Sequence, residues 1–428
     1  MNLEEKDKNY IWHPFTQMKI ADTPIHILKA KGTILYSSDG KEYIDAVSSW
    51  WVNIHGHSNE FIADRIAQQA KVLEHVIFAG FTHTPAIELA EKLIKILPDH
   101  FSKIFYSDNG STAVEVALKM ALQYWHNQGI KNKTKIIAFD NAYHGDTFGA
   151  MSAGARSAFN AAFNPLLFEV YHIPAPDKNN IEAVKKQLQQ YAADNTVAAF
   201  IFEPLIQGSG GMLMHEAKYL DELLSIAKQK NIICIADEVM TGFGRTGKNF
   251  AINYLQNQPD IICLSKGITG GFLPLGVTAC SQKIYDAFYA DEMEKTFFHG
   301  HSYTANPLAC AAANASIELL LKESCQQQIK MIGDHHKIFA EEMDRSDLVK
   351  EVRLQGTIIA IELNTTEDTS YFNSIKKEAY KFYLNNGVLL RPLGNVVYIM
   401  PPYCITKEEL NKVYEVIKSS LAHLLQKD

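Results

Sequence analysis

Short apolar runs separated by turn residues dominate the chain between about residues 103 and 280. Each run is followed by Gly, Asp or Asn and then by a helical pattern of apolar positions. The runs predicted as strands are Lys103–Tyr106, Lys135–Phe139, Val197–Phe202, Ile232–Ala236, Ile261–Leu264 and Gly276–Ala279. Alternation of strands with helices is typical of a parallel sheet with helical crossovers. The pattern therefore predicts an α/β fold in which a mostly parallel sheet carries helices on both faces.

The two ends of the chain have a different pattern. After about residue 325, short strands alternate with amphipathic helices, the last of which is predicted from Thr406 to about Leu425. The strands predicted in this region are Thr357–Glu362, Gly387–Leu390 and Val396–Met400. Near the start, the strand-like stretch Thr33–Ser37 precedes a turn at Asp39-Gly40. We therefore predict an N-terminal arm or part of the small domain over residues 1–50, a large α/β domain over 51–325 and a small α+β domain over 326–428.

Composition narrows the class of partner. With 428 residues and 47% hydrophobic content, the chain can bury a large core. A net charge of −7 gives no overall attraction for nucleic acid or for an anionic membrane surface. The first residues lack a signal-peptide pattern and no apolar run is long enough to span a bilayer, so we expect a cytoplasmic protein. The six cysteines are dispersed, which predicts free thiols and no structural zinc.

Two polar side chains follow apolar runs, in the place where ligands of a parallel sheet bind. Lys266 comes just after Ile261–Leu264, and an amine there can form an imine, although an isolated lysine is more often a surface side chain. Asp237 follows Ile232–Ala236, where a buried carboxylate can keep a pyridine nitrogen protonated, although it can equally cap the next helix. At ~4 Å and an effective dielectric near 20, such a pair attracts by about 4 kcal/mol before desolvation is subtracted.

A helix start and an aromatic ring complete the candidate site. Gly110 and Ser111 open a strongly helical stretch after Lys103–Tyr106, so free backbone amides and hydroxyls there can bind a phosphate. Ordinary N-capping by Ser111 or Thr112 explains the same residues. Tyr143 follows Lys135–Phe139 and can stack on a heteroaromatic ring, while a core tyrosine at a turn is the simpler interpretation.

Two further kinds of motif are rejected. The stretch from Gly242 to Gly247 matches the G-x-G-x-x-G pattern of dinucleotide-binding proteins. Gly242 to Lys248 also matches the P-loop pattern, but Asn249 follows where a Ser or Thr must bind magnesium. The acidic pair Asp237-Glu238 ahead of it would repel a phosphate. The pairs His55-Gly-His57 and His299-Gly-His301 have no further ligands nearby at metal-binding spacing, so we interpret them as turn histidines and expect no metal.

Taken in chain order, these residues closely resemble the fold-type I pyridoxal-phosphate enzymes, and specifically the class III, or ω-type, aminotransferases. The segments that carry the resemblance are Gly110-Ser111, Tyr143, Glu203-Pro204, Asp237-Glu238-Val239, Thr241–Gly247 and Ser265-Lys266-Gly267. The resemblance covers nearly the whole chain and accounts for the Gly-rich stretch after Asp237. It implies pyridoxal 5'-phosphate bound to Lys266, with the phosphate on Gly110 and Ser111, the ring on Tyr143 and the pyridine nitrogen beside Asp237.

Three further stretches resemble the biotin-pathway branch of that class, whose members convert 8-amino-7-oxononanoate to 7,8-diaminononanoate. They are Trp12–Met18, Ser48–Gly56 and Thr296–Pro307. The implied catalytic residues are Lys266, Asp237 and Phe15, and the implied substrate-binding residues are Trp51, Tyr143, Lys266, Gly300 and Arg391. Arg391 would bind the substrate carboxylate, which suits its guanidinium fork. The resemblance also implies that His301 and Ser302 reach the cofactor phosphate of a neighbouring subunit, and therefore a homodimer with shared active sites.

Alternatives to this interpretation stay open on the sequence alone. S-adenosylmethionine is the common amino donor in the branch, but some relatives use lysine, and Phe15 stands where some members carry tyrosine. Another ω-aminotransferase, acting on ornithine, 4-aminobutyrate or a diamine, is disfavoured by Trp12-His-Pro and Trp50-Trp51. A pyridoxal-phosphate racemase or aminomutase would use a single substrate. If the chain were a non-catalytic cofactor-binding protein, Lys266, Asp237 and the phosphate-binding helix start at Gly110-Ser111 would together have no function.

Overall fold

The N-terminal residues form a helix and a sheet that is completed by a strand from near the other end of the chain. The computed structural model describes residues 2–193 and 195–425. The first elements are α1 (Leu3–Tyr10), β1 (Ile27–Lys31), β2 (Ile34–Ser37) and β3 (Glu42–Asp45). The predicted turn at Asp39-Gly40 joins β2 to β3, and β3 pairs in parallel with β15 (Val388–Leu389). The arm is thus joined to residues of the predicted small domain, and the domain limits near residues 50 and 325 stay a prediction.

Seven strands form the central sheet. In chain order they are β4 (Phe101–Ser107), β5 (Lys135–Phe139), β6 (Val170–Ile173), β7 (Val197–Phe202), β10 (Ile233–Asp237), β11 (Ile261–Leu264) and β12 (Gly276–Ser281). Across the sheet the order is β4-β12-β11-β10-β7-β5-β6. The pairs are parallel except for those of β12, which runs antiparallel to both β11 and β4. The prediction of a mostly parallel sheet is confirmed.

The direction of β12 differs from that of the other predicted strands for a physical reason. A parallel return needs a crossover of a dozen or more residues, usually a full helix. Residues 265–275, which connect β11 to β12, contain only the short 3-10 turn Lys266–Thr269. The chain therefore turns back on itself, and this tight connection is the segment that carries Lys266.

The continuous apolar runs arise because side chains along each strand alternate between two buried layers. In β5, Ile136 and Ala138 face the layer that contains the helix α5 (Gly110–Asn127), whereas Ile137 and Phe139 face the opposite layer. Both faces of the sheet are therefore covered, and neither shows the polar alternation of a solvent-exposed strand.

Helices surround the sheets, and one of them, at Pro307–Leu320, is itself largely buried. Their bounds are α2 (Ser48–Trp51), α3 (Glu60–Ala70), α4 (Thr84–Ile96), α6 (Phe148–Ala153), α7 (Ile181–Tyr191), α8 (Ala217–Gln229), α9 (Gln282–Asp286), α10 (Pro307–Leu320), α11 (Glu323–Met343), α12 (Ile375–Asn385) and α13 (Lys407–Leu425). The segment labelled α2 is a single turn whose inner residues are not helical. Among the helices of the described residues, none combines the length and apolarity needed to cross a bilayer.

The C-terminal part contains a small antiparallel sheet, which the sequence predicts only in part. Its strands are β13 (Val349–Gln355), β14 (Ile358–Leu363) and β16 (Val396–Ile399), in the order β13-β14-β16. The last two contain most of the predicted runs, but β13 alternates charged and apolar residues and has no apolar run. A short hairpin, β8 (Ile206–Gln207) with β9 (Leu213–Met214), lies near the end of β7 and also lacks a sequence signal.

Candidate active site

One edge of the central sheet brings most of the predicted residues together. β10 ends at Asp237, whose backbone pairs in parallel with that of Cys263 in β11. β11 ends at Leu264, and Lys266 follows at the same edge. A cavity of about 650 Å³ opens there. The predicted residues that line it are Trp51, Gly110, Ser111, Tyr143, Asp237 and Lys266.

Lys266 lies in a strained and largely desolvated position. Its φ of 44° is in the left-handed region, which a lysine adopts only when surrounding contacts hold it there. Its Nζ lies 4.5 Å from the centre of the Trp51 ring. Burial lowers the pKa of Lys266 to about 8, although the charges of Asp237 and Glu203 oppose that shift. A larger fraction of this amine is therefore neutral near pH 7 than of a solvated lysine.

Asp237 is held from two sides. Its Oδ2 lies 2.7 Å from Nδ1 of the fully buried His144, and its Oδ1 accepts the backbone N–H of Val239 at 3.1 Å. Burial alone would lower the pKa of His144, but the hydrogen bond and the charge of Asp237 outweigh burial and raise it. The resulting charge-assisted pair fixes the orientation of the carboxylate.

A second buried carboxylate, Glu203, follows β7 at the same edge. Its Oε2 accepts the N–H of Tyr143 at 3.2 Å, and its Oε1 accepts the N–H of Gly208 at 3.1 Å. Burial raises the pKa of Glu203 to about 7, and the nearby charge of His144 opposes the shift. In the sequence, Glu203 stands out only as part of the Glu203-Pro204 motif, and nothing gives His144 a role. The strand-end rule that selects Asp237 also selects Glu203, because Glu203 comes directly after β7.

The start of α5 lines the same cavity. Asn109, rather than Ser111 or Thr112, caps this helix, and its side chain accepts the N–H of Thr112 at 3.0 Å. The start of a helix leaves the N–H groups of Gly110 and Ser111 without intrahelical acceptors. A side chain at Gly145 would collide with Oγ of Ser111, so the loop after β5 can approach the helix start only with glycine there. The geometry is that of an anion-binding helix terminus.

Trp51 lines another side of the cavity, and Tyr398 holds its ring from behind. Nε1 of Trp51 donates a hydrogen bond to Oη of Tyr398 at 2.9 Å, and the two rings meet edge to face at 6.1 Å. Burial raises the pKa of Tyr398 to about 12, so its hydroxyl stays protonated at physiological pH. Tyr398 lies within β16, where nothing in the sequence distinguishes it from a core residue.

Phe15, Trp50 and Arg391 meet outside this cavity. The guanidinium carbon of Arg391 lies 4.6 Å from the centre of the Trp50 ring, and the Phe15 and Trp50 ring centres are 5.5 Å apart. Arg391 is exposed, and no carboxylate within the described part of the chain lies at ion-pair distance from it. Its positive charge also acts on Tyr398, the partner of Trp51. A carboxylate could therefore pair with Arg391 near the aromatic wall.

Gly300, His301 and Ser302 do not line the cavity of their own chain. They lie on the segment before α10, where Nδ1 of His301 accepts the N–H of Tyr303 at 3.2 Å. Nε2 of His301 is buried and has no hydrogen-bond partner among residues 2–193 and 195–425. The assignment of His301 and Ser302 to a neighbouring subunit's cofactor, and of Gly300 to substrate, stays a prediction.

The Gly-rich stretch after Asp237 packs the site against the C-terminal residues. Its Arg245 is fully buried and donates hydrogen bonds to the carbonyl oxygens of Pro401 and Trp51, at 2.8 and 3.3 Å. Of the histidine pairs, His55 Nε2 lies 2.8 Å from the carbonyl oxygen of Ser316. Within the part of the chain that the structure describes, no group of three or more His, Cys, Asp or Glu residues could hold a metal ion.

Comparisons with known proteins agree on one family. The model of the family described as Aminotransferase class-III matches residues 16–421. An adenosylmethionine-8-amino-7-oxononanoate aminotransferase from Synechococcus elongatus is 50% identical over 420 residues, which cover 96% of this chain and 98% of the relative.

Solved structures give the same result. The crystal structure of adenosylmethionine-8-amino-7-oxononanoate aminotransferase from Methanocaldococcus jannaschii matches with a TM-score of 0.92 at 38% identity, covering 97% of this chain and 98% of that one. An amine transaminase from an uncultivated Pseudomonas species, in its PLP-bound form, matches with a TM-score of 0.91 at 29% identity, covering 97% and 99%. The chain therefore belongs to the class-III aminotransferases, and within them to the family of adenosylmethionine-8-amino-7-oxononanoate aminotransferases.

Proposed function

We propose that the chain transfers an amino group to 8-amino-7-oxononanoate and forms 7,8-diaminononanoate, a step of biotin biosynthesis. The amino donor is S-adenosylmethionine and the cofactor is pyridoxal 5'-phosphate. The observation that carries the proposal is the one cavity that joins Lys266, Asp237, Tyr143 and the start of α5. Relatives named for this enzyme, one of them 50% identical, support the choice of substrates.

The groups around the cavity fit the cofactor. Lys266 would hold its aldehyde carbon, Asp237 its ring nitrogen and Tyr143 its ring face, while Gly110 and Ser111 would hold its phosphate. A volume of about 650 Å³ lies in the range of small-molecule sites, which is about 300–1,000 Å³. When bound, the cofactor supplies a carbon that accepts an amino group and a protonated ring that stabilises negative charge on the neighbouring carbon.

Lys266 acts as nucleophile and then as base. With a pKa of about 8, roughly one amine in ten is neutral at pH 7, against roughly one in a few thousand for a solvated lysine. The neutral amine can attack a carbonyl carbon and, once released, take the proton from the donor carbon that bears the amino group. The Trp51 ring over Nζ keeps water from that side of the amine.

Two buried neighbours hold the charged carboxylate of Asp237 and the ring of Tyr143 in place, namely His144 and Glu203. The His144 hydrogen bond orients the Asp237 carboxylate toward one position, and the backbone N–H of Val239 holds its other oxygen. Glu203 holds the backbone of Tyr143, and so the position of the aromatic face. Each of these residues acts before any substrate enters, so the site is organised in advance.

The outer residues suit a keto acid with an apolar chain. Such a substrate needs apolar walls along its length and one fixed cation at its carboxylate end. Trp51 and Trp50 supply aromatic surface, and the exposed Arg391 supplies the cation. Phe15 packs beside Trp50 without a hydroxyl, so its contact with either substrate is made through the ring alone.

The proposal includes a cytoplasmic homodimer in which each subunit completes the other's site. His301 and Ser302 lie outside the cavity of their own chain, which supports a role in the partner's. Nε2 of His301 is buried within its own chain and has no hydrogen-bond partner among the described residues, so the contact with the partner's cofactor would be made by Ser302 or after His301 turns outward.

A reconstituted reaction tests the proposal. Purified protein loaded with pyridoxal 5'-phosphate receives 8-amino-7-oxononanoate with S-adenosylmethionine, lysine, ornithine or 4-aminobutyrate, and mass spectrometry follows the product. We expect 7,8-diaminononanoate with S-adenosylmethionine and none from the Lys266→Ala variant. If product forms with lysine and with none of the other amines, lysine rather than S-adenosylmethionine is the donor. If no product forms with any of the amines, the proposed acceptor is wrong.

The same protein separates transamination from racemisation. A donor offered alone should give one equivalent of deaminated donor for each active site, and further turnover should begin only when the keto acid is added. Continuous turnover of a single substrate would instead identify a racemase or aminomutase.

A further inference from the structure

The turn that carries Trp50 and Trp51 has an unusual backbone. Ser48, Ser49 and Trp51 have φ values of 50°, 59° and 70°. These angles lie in the region that favours glycine, and Ser49 combines its φ with a ψ of −90°. Three such residues within four positions persist only where contacts from outside the turn hold them.

Asp45, at the end of β3, makes most of these contacts. Its fully buried carboxylate accepts the N–H of Ser49 at 2.6 Å and the N–H of Val47 at 3.1 Å. His57 Nε2 lies 2.8 Å from the same carboxylate, and Asn53 Nδ2 lies 2.9 Å from His57 Nδ1. Because Nδ2 of Asn53 is a donor and meets Nδ1 of His57, the ring proton is on Nε2 and points at Asp45. Asp45 thus has a partner that fixes its own orientation.

Two hydrogen bonds to distant parts of the chain also hold the turn from Ser48 to Trp51. Oγ of Ser48 donates to the carbonyl oxygen of Met400 at 2.9 Å, and Arg245 donates to the carbonyl oxygen of Trp51 at 3.3 Å. The turn then places its two indoles at different parts of the site. Trp51 lies against Nζ of Lys266, and Trp50 lies against the guanidinium of Arg391.

We propose that Asp45 is a positioning residue that fixes this turn and thereby selects the chain length of the keto acid. The turn connects Trp51, which packs beside the reactive amine of Lys266, to Trp50, which packs against the carboxylate-binding guanidinium of Arg391. The distance between the reacting carbon and the carboxylate of a bound keto acid must match that fixed spacing. The inference rests on the proposed function for the roles of Lys266 and Arg391.

The variant Asp45→Asn tests the inference. A carboxamide has one acceptor oxygen, so it cannot hold the N–H groups of Ser49 and Val47 together, and the turn relaxes. We expect KM for the preferred keto acid to rise about 10- to 100-fold, because small misplacements of binding groups have effects of this size. We also expect reduced discrimination in kcat/KM between amino keto acids that differ by one methylene. Covalent loading of the cofactor on Lys266 should not change.

A second substitution distinguishes positioning from simple loss of structure. Glycine adopts positive φ freely, so adding Ser49→Gly to Asp45→Asn should restore part of the chain-length discrimination. A carboxylate needed only for folding would not be replaced by glycine four residues away. If Asp45→Asn does not fold, His57→Gln removes the ring that orients Asp45 and should shift selectivity in the same direction by a smaller amount. Asp39→Asn, in the exposed turn before β3, is the matched control and should behave as wild type.

The readout is the ratio of kcat/KM across a series of amino keto acids of increasing length, whichever length the wild type prefers. A wild-type preference for an unrelated acceptor would overturn the proposed function. An unchanged ratio in both Asp45→Asn and His57→Gln would overturn the inference about Asp45 while leaving the proposed function intact.

Discussion

The sharpest consequence of the site geometry concerns the charge of Asp237. The variant Asp237→Asn keeps the size and shape of the side chain and removes only its negative charge. Its amide can still meet the backbone N–H of Val239 through one oxygen, a contact that is 3.1 Å long in the wild type. The substitution therefore separates the electrostatic role of Asp237 from its packing.

The expected loss of rate in Asp237→Asn follows from two opposing charges, those of Asp237 and His144. A carboxylate at ~4 Å from a ring nitrogen, at an effective dielectric near 20, stabilises a positive charge there by about 4 kcal/mol, or about a thousandfold in rate. His144 reduces this value. Asp237 is what raises the pKa of His144 against its burial, so without that charge His144 becomes neutral and its own repulsion is lost as well. We therefore expect the rate of the half-reaction to fall about a hundredfold to a thousandfold.

A rapid-mixing assay measures this directly. Cofactor-loaded wild type and Asp237→Asn are mixed with donor alone, and the deaminated donor is quantified against time. Asp286→Asn, an exposed carboxylate on α9, is the matched control and should keep the wild-type rate. NMR titration of the His144 imidazole should show its pKa falling in Asp237→Asn. A rate within about threefold of wild type, or an unchanged His144 pKa, would show that the charge of Asp237 does not act as described.

Three further predictions concern single residues. Arg391→Ala should raise KM for the keto acid about 10- to 100-fold in steady-state kinetics with little change in kcat, whereas Lys381→Ala, a surface cation, should have no effect; an unchanged KM would remove Arg391 from substrate binding. The rate at which cofactor-free protein takes up pyridoxal 5'-phosphate should rise with pH around a midpoint near 8, since Lys266 must lose its proton; a midpoint near 10.5 would contradict its burial. Glu203 has a raised pKa, so its proton stabilises the fold, and this contribution is lost as pH rises from 4.5 to about 7. In urea unfolding, the free energy of unfolding of the wild type should fall by up to about 3 kcal/mol relative to that of Glu203→Gln over this pH interval. A difference between the two free energies that does not change with pH would contradict this prediction.

The central sheet and the inner site could be predicted because their signals are local in the sequence. Lys266 and Asp237 each follow a continuous apolar run, and strands in a parallel sheet end at a common edge, so the strand-end rule selects both. Gly110 and Ser111 follow the same rule at the start of a helix. Local patterns alone leave a surface lysine and ordinary helix caps open, and it is the family resemblance that makes a cofactor site the expectation.

What could not be predicted depends on contacts between distant segments. The direction of β12 follows from a short connection rather than from its own residues. Tyr398 supports the cavity residue Trp51 only because β16 places the two side by side, 347 positions apart in sequence. The left-handed turn from Ser48 to Trp51 has no glycine to mark it, and its supports come from Asp45, Arg245 and the backbone of Met400.

Everything proposed for the site depends on Lys266 being the residue that binds the cofactor covalently. The direct measurement is peptide mass spectrometry after incubation with pyridoxal 5'-phosphate and reduction with borohydride. We expect one reduced adduct for each chain, on the peptide that contains Lys266, and no adduct on that peptide in Lys266→Ala. An adduct at another lysine in the wild type, or none at all in protein that shows aminotransferase activity, would contradict it.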